Sequence, residues 1–364
     1  MNTSPSSART PPPAPAAGLR TWVWRALLLA AIFYLPVLLT DREIFGMRLS
    51  NMQLLNLGLT QINLMLIAML GALSLNYLTG CAGLISIGHA ALYAMGAMTA
   101  AAAGSLWGWP FPLVLLVAGL TGALSGLLAG LPSLRVRGLY FVLSTMALHY
   151  IVNFAFLQFQ FRFFDVVGIP YQPARLGSFE LNTPMRWYFF LVPVVALVYW
   201  GLHNSLQTRE GRLLMAMRDH ELAATAVGAD VRVLRLKAFM LSSAIASMAG
   251  ALYAYYLTNV TSEAFGIQFA IQFIAMIIIG GMGSLGGSLV GAALWLLLPS
   301  VINGFASQAG DSTGLVQIVL VEHKAQLVQL IFGGLVILLL IFAPGGIAGM
   351  GNQWRNRLLA RRGA

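Results

Sequence analysis

The segment Thr79–Ala100, TGCAGLISIGHAALYAMGAMTA, lies within apolar sequence where an uninterrupted membrane-spanning helix would be expected. It contains four glycines, one serine, two threonines and one histidine. Glycine in a helix interior costs roughly 0.5–1 kcal/mol relative to alanine, so the composition predicts a helix break. Irregular backbone at membrane depth is tolerated only where it is buried in protein or lines a polar cavity.

The composition of the whole chain is that of an integral membrane protein. Of its 364 residues, 59% are hydrophobic and 9% are charged, and the mean hydropathy is +0.80. Soluble domains carry about 25% charged residues. The single cysteine, Cys81, excludes an intrachain disulfide bond and a cysteine-based metal cluster.

The apolar segments predict an all-α integral membrane protein with about eight to ten transmembrane helices, some of them broken by glycine. None of the segment interiors needs a charged residue, which argues against a proton relay, a voltage sensor or an intramembrane carboxylate pump. Ten candidate spans cover residues 22–40, 54–78, 86–104, 111–131, 138–159, 187–202, 238–258, 267–281, 287–303 and 327–343.

The placement of basic residues predicts that both termini lie in the cytoplasm. In this orientation fifteen of the 21 Arg and Lys residues face the cytoplasm, in accord with the positive-inside rule. The formal charge of +10 therefore does not require nucleic-acid binding. We expect a disordered cytoplasmic tail over residues 1–21, a transmembrane domain over 22–343 and a basic cytoplasmic tail over 344–364.

Small residues at four-residue spacing predict close packing between helices, because lipid tails are as apolar as leucine and helices in a bilayer associate through close contact. Three such ladders are present: Gly96, Ala100 and Gly104; Gly122, Gly126 and Gly130; and Gly283, Gly287 and Gly291.

Two glycine-rich breaks go beyond packing. The first lies within the opening segment, and the second lies within IIIGGMGSLGGSLVGA, residues 277–292. Paired glycine-interrupted segments indicate a substrate path in transporters, and the alternative is a tight interhelical turn without substrate contact. The candidate path residues are Asn76, Gly80, Gly83, Ser86, Gly88, His89, Gly280, Gly281 and Gly283.

Three polar side chains in these apolar segments have two interpretations each. His89 either hydrogen-bonds a neighbouring helix or contacts substrate, and no second His, Cys or carboxylate stands at the spacing of a metal site. Gln268 and Gln272 share a helix face, where they either hydrogen-bond between helices or line the path.

The longest charged segment, residues 203–237, connects two apolar spans on the cytoplasmic side. It reads HNSLQTREGRLLMAMRDHELAATAVGADVRVLRLK and carries six basic and four acidic residues. Apolar residues recur at near-helical spacing up to Gly228, which predicts an amphipathic helix. Its apolar face would either lie on the anionic lipid surface or dock into a groove on a soluble protein.

Five segments, in order, resemble the permease subunits of ATP-binding-cassette importers for branched-chain amino acids, the LivM type. They are the opening segment, LRVRGLYFVLSTMAL (134–148), GRLLMAMRDHELAATAVGADVRVLRLKAFMLSSAIASMAGALYA (211–254), IIIGGMGSLGGSLVGA (277–292) and FAPGGIAG (342–349). Leu84 stands where that family usually has a glutamine, so the substrate stays open between branched-chain amino acids and urea, short amides or another small organic solute.

The resemblance implies a pore-forming subunit in a bacterial cytoplasmic (inner) membrane. Its implied partners are a second permease subunit, two cytoplasmic ATPases and a periplasmic or external substrate-binding protein. The sequence has no G-x-x-x-x-G-K-[ST] phosphate loop, so we expect ATP on the partner ATPases, no cofactor in this chain and no enzymatic activity. A stand-alone channel for a small neutral solute is the competing hypothesis.

The resemblance also implies that residues Met215 to Gly228 form a coupling helix that receives the motion of the ATPases. The residues assigned to this role are Met215, Ala216, Met217, Arg218, Asp219, Glu221, Ala223, Ala224 and Gly228.

Overall fold

The computed structural model describes residues 58–133, 138–164, 168–177, 179–308, 324–343 and 345–350. The predicted N-terminal tail and the predicted first span, 22–40, lie outside these residues. The predicted C-terminal tail does so as well, apart from residues 345–350.

The described residues are predominantly helical, and a π-helical turn continues each of the first two helices, over Asn76–Cys81 and Ala101–Leu106. The helices are α1 (Leu59–Leu75), α2 (His89–Ala100), α3 (Phe111–Ser133), α4 (Leu139–Phe163), α5 (Pro184–Gln207), α6 (Arg209–Asp219), α7 (Glu221–Ala226), α8 (Val231–Leu257), α9 (Ile267–Gly280), α10 (Leu285–Gln308) and α11 (Lys324–Phe342).

Each of the nine predicted spans from 54–78 onward coincides with a helix, α2 together with the π-helical turn that follows it. The helix α8 begins at Val231, before the predicted start at residue 238, because Asp230 caps its first turn through the main-chain N–H groups of Arg232 and Val233. Six described helices are long and apolar enough to cross a membrane: Leu59–Cys81, Phe111–Leu131, Tyr140–Phe163, Pro184–Gln207, Val231–Leu257 and Leu285–Ile302.

Two helices next to the glycine-rich breaks are short. The helix α2 has 12 residues and α9 has 14, about 18 Å and 21 Å at 1.5 Å per residue. Neither α-helix alone crosses a hydrocarbon core of about 30 Å. They pack against each other through aromatic rings, with Tyr93 of α2 5.4 Å from Phe269 and 5.3 Å from Phe273 between ring centroids.

The centre of the bundle is formed by α1 and α8. In the most apolar 18-residue stretch of each helix, 72% of the residues of α1 and 67% of those of α8 are buried, against 17% to 39% in the other four spanning helices. The backbones of α2 and α8 touch, because a Cβ at Gly96 would collide with the carbonyl of Ser247 and a Cβ at Gly250 with that of Tyr93. Close backbone approach of this kind is how membrane helices associate.

The predicted small-residue ladder on α3 is confirmed. A Cβ at Gly122 would collide with Ser247 of α8, and a Cβ at Gly126 would collide with Ser243 one turn earlier. The contact between α3 and α8 is the most extensive between two helices in the described residues.

Short antiparallel strands lie in the connections at the helix ends opposite the charged loop. The strand β1 (Ile169–Pro170) pairs with β4 (Asn259–Val260), and β2 (Arg175–Leu176) pairs with β3 (Phe179–Glu180). The β1–β4 ribbon ties the connection after α4 to the connection after α8. The C-terminal ends of α4 and α8 therefore lie on the same side of the bundle.

Candidate functional site

The first break follows α1, where the chain passes through the π-helical turn and then leaves helical geometry until α2 begins at His89. Gly83 adopts a φ of 73°, in the left-handed region that favours glycine. The carbonyl of Leu84 accepts a hydrogen bond from the Thr79 hydroxyl, which holds the loop closed upon itself at 3.1 Å.

The second break separates α9 from α10. Gly281 has a φ of 110° and Gly283 a φ of 86°, so two residues in this short connection require glycine. Gly280 packs against the backbone at Gly287, and a Cβ at Gly281 would lie 2.5 Å from the carbonyl oxygen of Gly345. Backbone therefore meets backbone throughout this turn.

The side chain of Asn76 joins the two breaks. Its Oδ1 accepts a hydrogen bond from the main-chain N–H of Gly283 at 2.8 Å, and its Nδ2 donates to the carbonyl of Ser284 at 2.8 Å. A Cβ at Gly80 would collide with Asn76 and with the nitrogen of Gly283. The two glycine-rich segments thus form one packed contact with no space for a solute between Gly80 and Gly283.

Arg218 connects this contact to the charged loop. Its Nη1 donates to the carbonyl oxygen of Gly80 at 2.5 Å, and a Cβ at Gly283 would lie 2.7 Å from the same nitrogen. The Cα of Arg218 would be 3.3 Å from a Cβ at Gly83. We call these five residues, Asn76, Gly80, Gly83, Arg218 and Gly283, the glycine junction.

The predicted single coupling helix from Met215 to Gly228 is wrong. His220 is extended, with φ −149° and ψ 98°, and divides the segment into α6 and α7. In one continuous helix Glu221 would share the buried stripe of Leu214 and Met217, which would place a carboxylate against the bundle. The break lets Glu221 pair instead with Arg235 of α8 at 2.7 Å.

The residues assigned to coupling separate into three groups. Met217 and Ala224 are buried against the bundle. Arg218 and Glu221 reach back to the first break and to α8 respectively. The remaining five are exposed at the surface of the loop: Met215, Ala216, Asp219, Ala223 and Gly228.

Two large apolar residues, one on α7 and one directly after it, are exposed, although they were not assigned to coupling. Leu222 is 85% exposed and Val227 75% exposed. Their near-helical spacing with Leu214 and Met217 predicted one apolar stripe, but of these four residues only Leu214 and Met217 are buried. The loop therefore exposes large apolar side chains at its surface.

Gly88 packs against α4 and His89 against α1. The Nε2 of His89 is 2.7 Å from the Ser74 hydroxyl, and a Cβ at Gly88 would collide with the carbonyl of Thr145. Ser86 is buried, and its hydroxyl has no hydrogen-bond partner among the described residues. The hydrogen bond of His89 to a neighbouring helix matches the first of its two interpretations.

A cavity of about 820 Å³ lies elsewhere, between α9, α10 and α11. Its lining includes Gln268 and Gln272 of α9 and Gln329 of α11. None of the candidate path residues lines it. The four-residue spacing of Gln268 and Gln272 had predicted that these two side chains share a face, whereas nothing in the sequence pointed to Gln329.

These features define a class of protein: a membrane-spanning helical bundle whose two helix breaks meet and are tied to an exposed aqueous loop. Residues 57–341 match the family described as the permease component of branched-chain amino acid transport systems, and the chain belongs to this family.

Individual relatives agree with the family assignment. The chain is 27% identical over 316 residues to the high-affinity branched-chain amino acid transport system permease protein LivM of Escherichia coli (strain K12), covering 80% of this chain and 69% of the relative. It is 26% identical over 309 residues to the LivM protein of Salmonella typhimurium, covering 76% and 67%. A probable branched-chain amino acid transport permease protein LivH of Methanocaldococcus jannaschii is 30% identical over 168 residues, covering 46% and 50%. No solved structure matches the chain.

Proposed function

We propose that this chain is the permease subunit of an ATP-driven importer that moves branched-chain amino acids across the bacterial cytoplasmic membrane. The family and the names of the LivM relatives support the substrate class. In this proposal a second permease subunit completes the pore, two cytoplasmic ATPases bind and hydrolyse ATP, and an external binding protein delivers the amino acid. The chain itself binds no cofactor and catalyses no reaction.

The observation that carries the proposal is the construction of the loop between α5 and α8. Its inner face is anchored by Arg218 and by the Glu221–Arg235 ion pair. Its outer face exposes Leu222 and Val227. Exposed apolar side chains on an aqueous loop mark a protein interaction site, and a rigid attachment behind them transmits motion of the partner to the bundle.

The mechanism follows from this connection. Motion of an ATPase docked on α7 would shift α6, and Arg218 would carry the displacement to Gly80 and, through Asn76, to the second break. The short helix α2 begins at the first break and the short helix α9 ends at the second, so a displacement of the glycine junction acts on both. The positive-inside distribution supports placing this loop, and with it both termini, in the cytoplasm.

The test is co-purification of the tagged chain from native membranes, with and without the double substitution Leu222→Asp and Val227→Asp. We expect a P-loop ATPase to accompany the native chain and to be lost from the variant, because two carboxylates cannot enter an apolar groove. Arg209→Asp is the matched control, since it adds the same side chain at an exposed position of the same loop.

Transport is then measured with the complex in proteoliposomes supplied with ATP and the binding protein. Uptake of leucine, isoleucine and valine supports the proposal. Uptake of urea or short amides in their place would be compatible with the importer architecture but would overturn the proposed substrate class. Passage of solute through the chain alone, without ATP, would overturn the importer and favour a channel.

A further inference from the structure

A groove of about 600 Å³ lies at the end of α5 that is opposite the charged loop. It runs between the β2–β3 hairpin and the first turns of α5. Its walls are apolar side chains from both elements and the residues that join them, namely Leu176, Leu181, Met185, Phe189 and Phe190. The side chain of Arg186 lines the same groove, so a cation stands beside an apolar surface.

The guanidinium of Arg186 is held in one orientation. Its Nη1 donates hydrogen bonds to the carbonyl oxygen of Glu180 at 2.8 Å and to Oδ1 of Asn182 at 3.0 Å. Its central carbon lies 4.8 Å from the centre of the Phe179 ring, which is a cation–π contact. The Nη2 and Nε atoms donate to no described residue. The hairpin therefore fixes a guanidinium that still has N–H donors available.

The charge of Arg186 is not neutralised by the part of the chain that the structure describes. The carboxylate of Glu180 pairs with Arg175 instead, at 2.7 Å between Oε1 and Nη2. Arg186 forms no ion pair with a described residue. Two guanidinium groups and one carboxylate leave an excess of positive charge beside the groove. The planar fork of a guanidinium matches the oxygens of a carboxylate or a phosphate, so an anionic group fits here.

Arg186 stands at the head of the outward-facing stripe of α5. Residues at three- and four-residue spacing share one face of a helix, and this stripe consists of Arg186, Phe189, Pro193, Leu197 and Trp200. All of them except the half-buried Phe189 are exposed on the outside of the bundle. The helix α5 is also the least buried of the six described spanning helices. The groove therefore continues into a surface that faces lipid.

The length of α5 places Arg186 at the level of the lipid headgroups. The helix has 24 residues, about 36 Å at 1.5 Å per residue, and is therefore longer than a hydrocarbon core of about 30 Å. Arg186 is its third residue. Arginine near the end of a spanning helix keeps its charged group at the membrane surface while its stem covers apolar surface. The anion within reach of this guanidinium is a lipid phosphate.

We infer that the groove between the β2–β3 hairpin and α5 binds an anionic phospholipid, whose phosphate accepts hydrogen bonds from Arg186 and whose acyl chain follows Phe189 toward Leu197. The excess positive charge favours phosphatidylglycerol over phosphatidylcholine, because the choline ammonium would meet Arg175 and Arg186. The continuous lipid-facing stripe favours a lipid over a soluble protein as the occupant. The site does not depend on which solute the chain transports.

The first experiment maps the lipid on the native chain. The tagged full-length chain is purified from native membranes with its partners and placed in vesicles of equal parts phosphatidylglycerol and phosphatidylcholine. One of the two lipids carries a photoreactive group in its acyl chain, close to the glycerol. After illumination, labelled peptides are quantified at Phe189 in the groove and at Leu197 on the same stripe, which contacts bulk lipid in both cases.

We expect the ratio of labelling at Phe189 to labelling at Leu197 to be several-fold higher with labelled phosphatidylglycerol than with labelled phosphatidylcholine. Equal ratios would show that the groove is only solvated by bulk lipid, and would overturn the site. Labelling at Leu197 with neither lipid reaching Phe189 would show that a partner subunit or another segment of this chain covers the groove, which would overturn it as well.

The second experiment measures phosphatidylglycerol binding by native mass spectrometry for Arg186→Ala, Arg186→Lys and Arg162→Ala. Arg162 is the matched control, because it is exposed in the last turn of α4, next to the same connection, and does not line the groove. Loss of charge-assisted hydrogen bonds should weaken binding about 10-fold or more in Arg186→Ala. Arg186→Lys should retain part of the affinity, and Arg162→Ala should bind as the native chain does.

The Arg186→Ala variant also loses the contacts to Glu180 and Asn182, so its melting temperature without added phosphatidylglycerol is measured beside that of the native chain. Equal affinity of the native chain and Arg186→Ala for phosphatidylglycerol would overturn the role of Arg186. Equal losses in Arg186→Ala and Arg162→Ala would show a general attraction of anionic lipid and would overturn the site. If Arg186→Ala does not fold, the labelling ratio on the native chain decides.

Discussion

The guanidinium of Arg218 donates a hydrogen bond to the main-chain carbonyl of Gly80, a residue 138 positions earlier in the chain. This contact joins the aqueous loop to the first helix break, and Asn76 extends it to the second break at Gly283. Carbonyls in the last turn of a helix lack main-chain partners from a following turn, and Gly80 lies in the last turn before the break. The glycine-rich break thus creates the acceptor that the loop uses.

Arg218→Ala should uncouple ATP hydrolysis from transport. A hydrogen bond from a charged donor contributes about 1.5–3 kcal/mol, so we expect leucine uptake to fall about 10-fold or more. The ATPase should still co-purify, because Leu222 and Val227 remain exposed. The measurement is uptake and ATP hydrolysis in the same proteoliposomes. Arg218→Lys, which keeps the charge but not the planar fork, should retain part of the uptake, and full uptake by Arg218→Ala would contradict the coupling role.

Gly283→Ala should destabilise the protein, and Gly286→Ala should not. Gly283 has a φ of 86°, which costs an L-residue about 1–2 kcal/mol, and its Cβ would lie 2.7 Å from Nη1 of Arg218. Gly286 lies three residues away in the first turn of α10, with no heavy atom within 4 Å of its Cβ position. Thermal unfolding of the purified variants compares the two. Equal melting temperatures would show that the junction tolerates a side chain.

Exchanging the two charges of the Glu221–Arg235 pair should restore the ATPase binding that is lost when only one of the two charges is reversed. The two side chains are 27% and 12% exposed and their charged atoms are 2.7 Å apart, so Glu221→Arg or Arg235→Glu alone places like charges together near the bundle. We expect both single variants to lose bound ATPase and the double variant to regain it, with a coupling energy of about 0.5–3 kcal/mol. Additive losses would place Glu221 in direct contact with the ATPase instead.

Gly122→Ala should weaken the contact between α3 and α8. A Cβ at Gly122 collides with Ser247 and the backbone of Ser243, so the helices must separate, at a cost of about 1–3 kcal/mol. Gly119→Ala, one turn earlier on α3, meets only the flexible side chain of Met248 at 3.3 Å and should leave stability nearly unchanged. Detergent-solubilised yield and melting temperature report the difference. A stable Gly122→Ala variant would mean that the ladder is not a packing surface.

Hydropathy and the spacing of small residues were sufficient to predict the helices of the bundle and one of their close contacts. An apolar run long enough to cross a bilayer has few alternatives to a helix, so nine predicted spans coincide with helices. The ladder of Gly122 and Gly126 predicted a close contact for the same reason, since only small residues let helices approach in lipid. The glycines at 80, 83, 281 and 283 predicted both breaks through their backbone freedom, which is a local property.

The sequence by itself therefore determined the helical class, the positions of the breaks and the segments that resemble the permease family. Tertiary structure alone decided that the two breaks meet at Asn76, that Arg218 reaches Gly80, and that Leu222 stays exposed while Leu214 and Met217 are buried. It also decided that Gln329 faces the same cavity as Gln268 and Gln272. The physical reason is that helix formation and breakage depend on neighbouring residues, whereas these contacts join residues far apart in the chain, which only the packing of the whole bundle brings together.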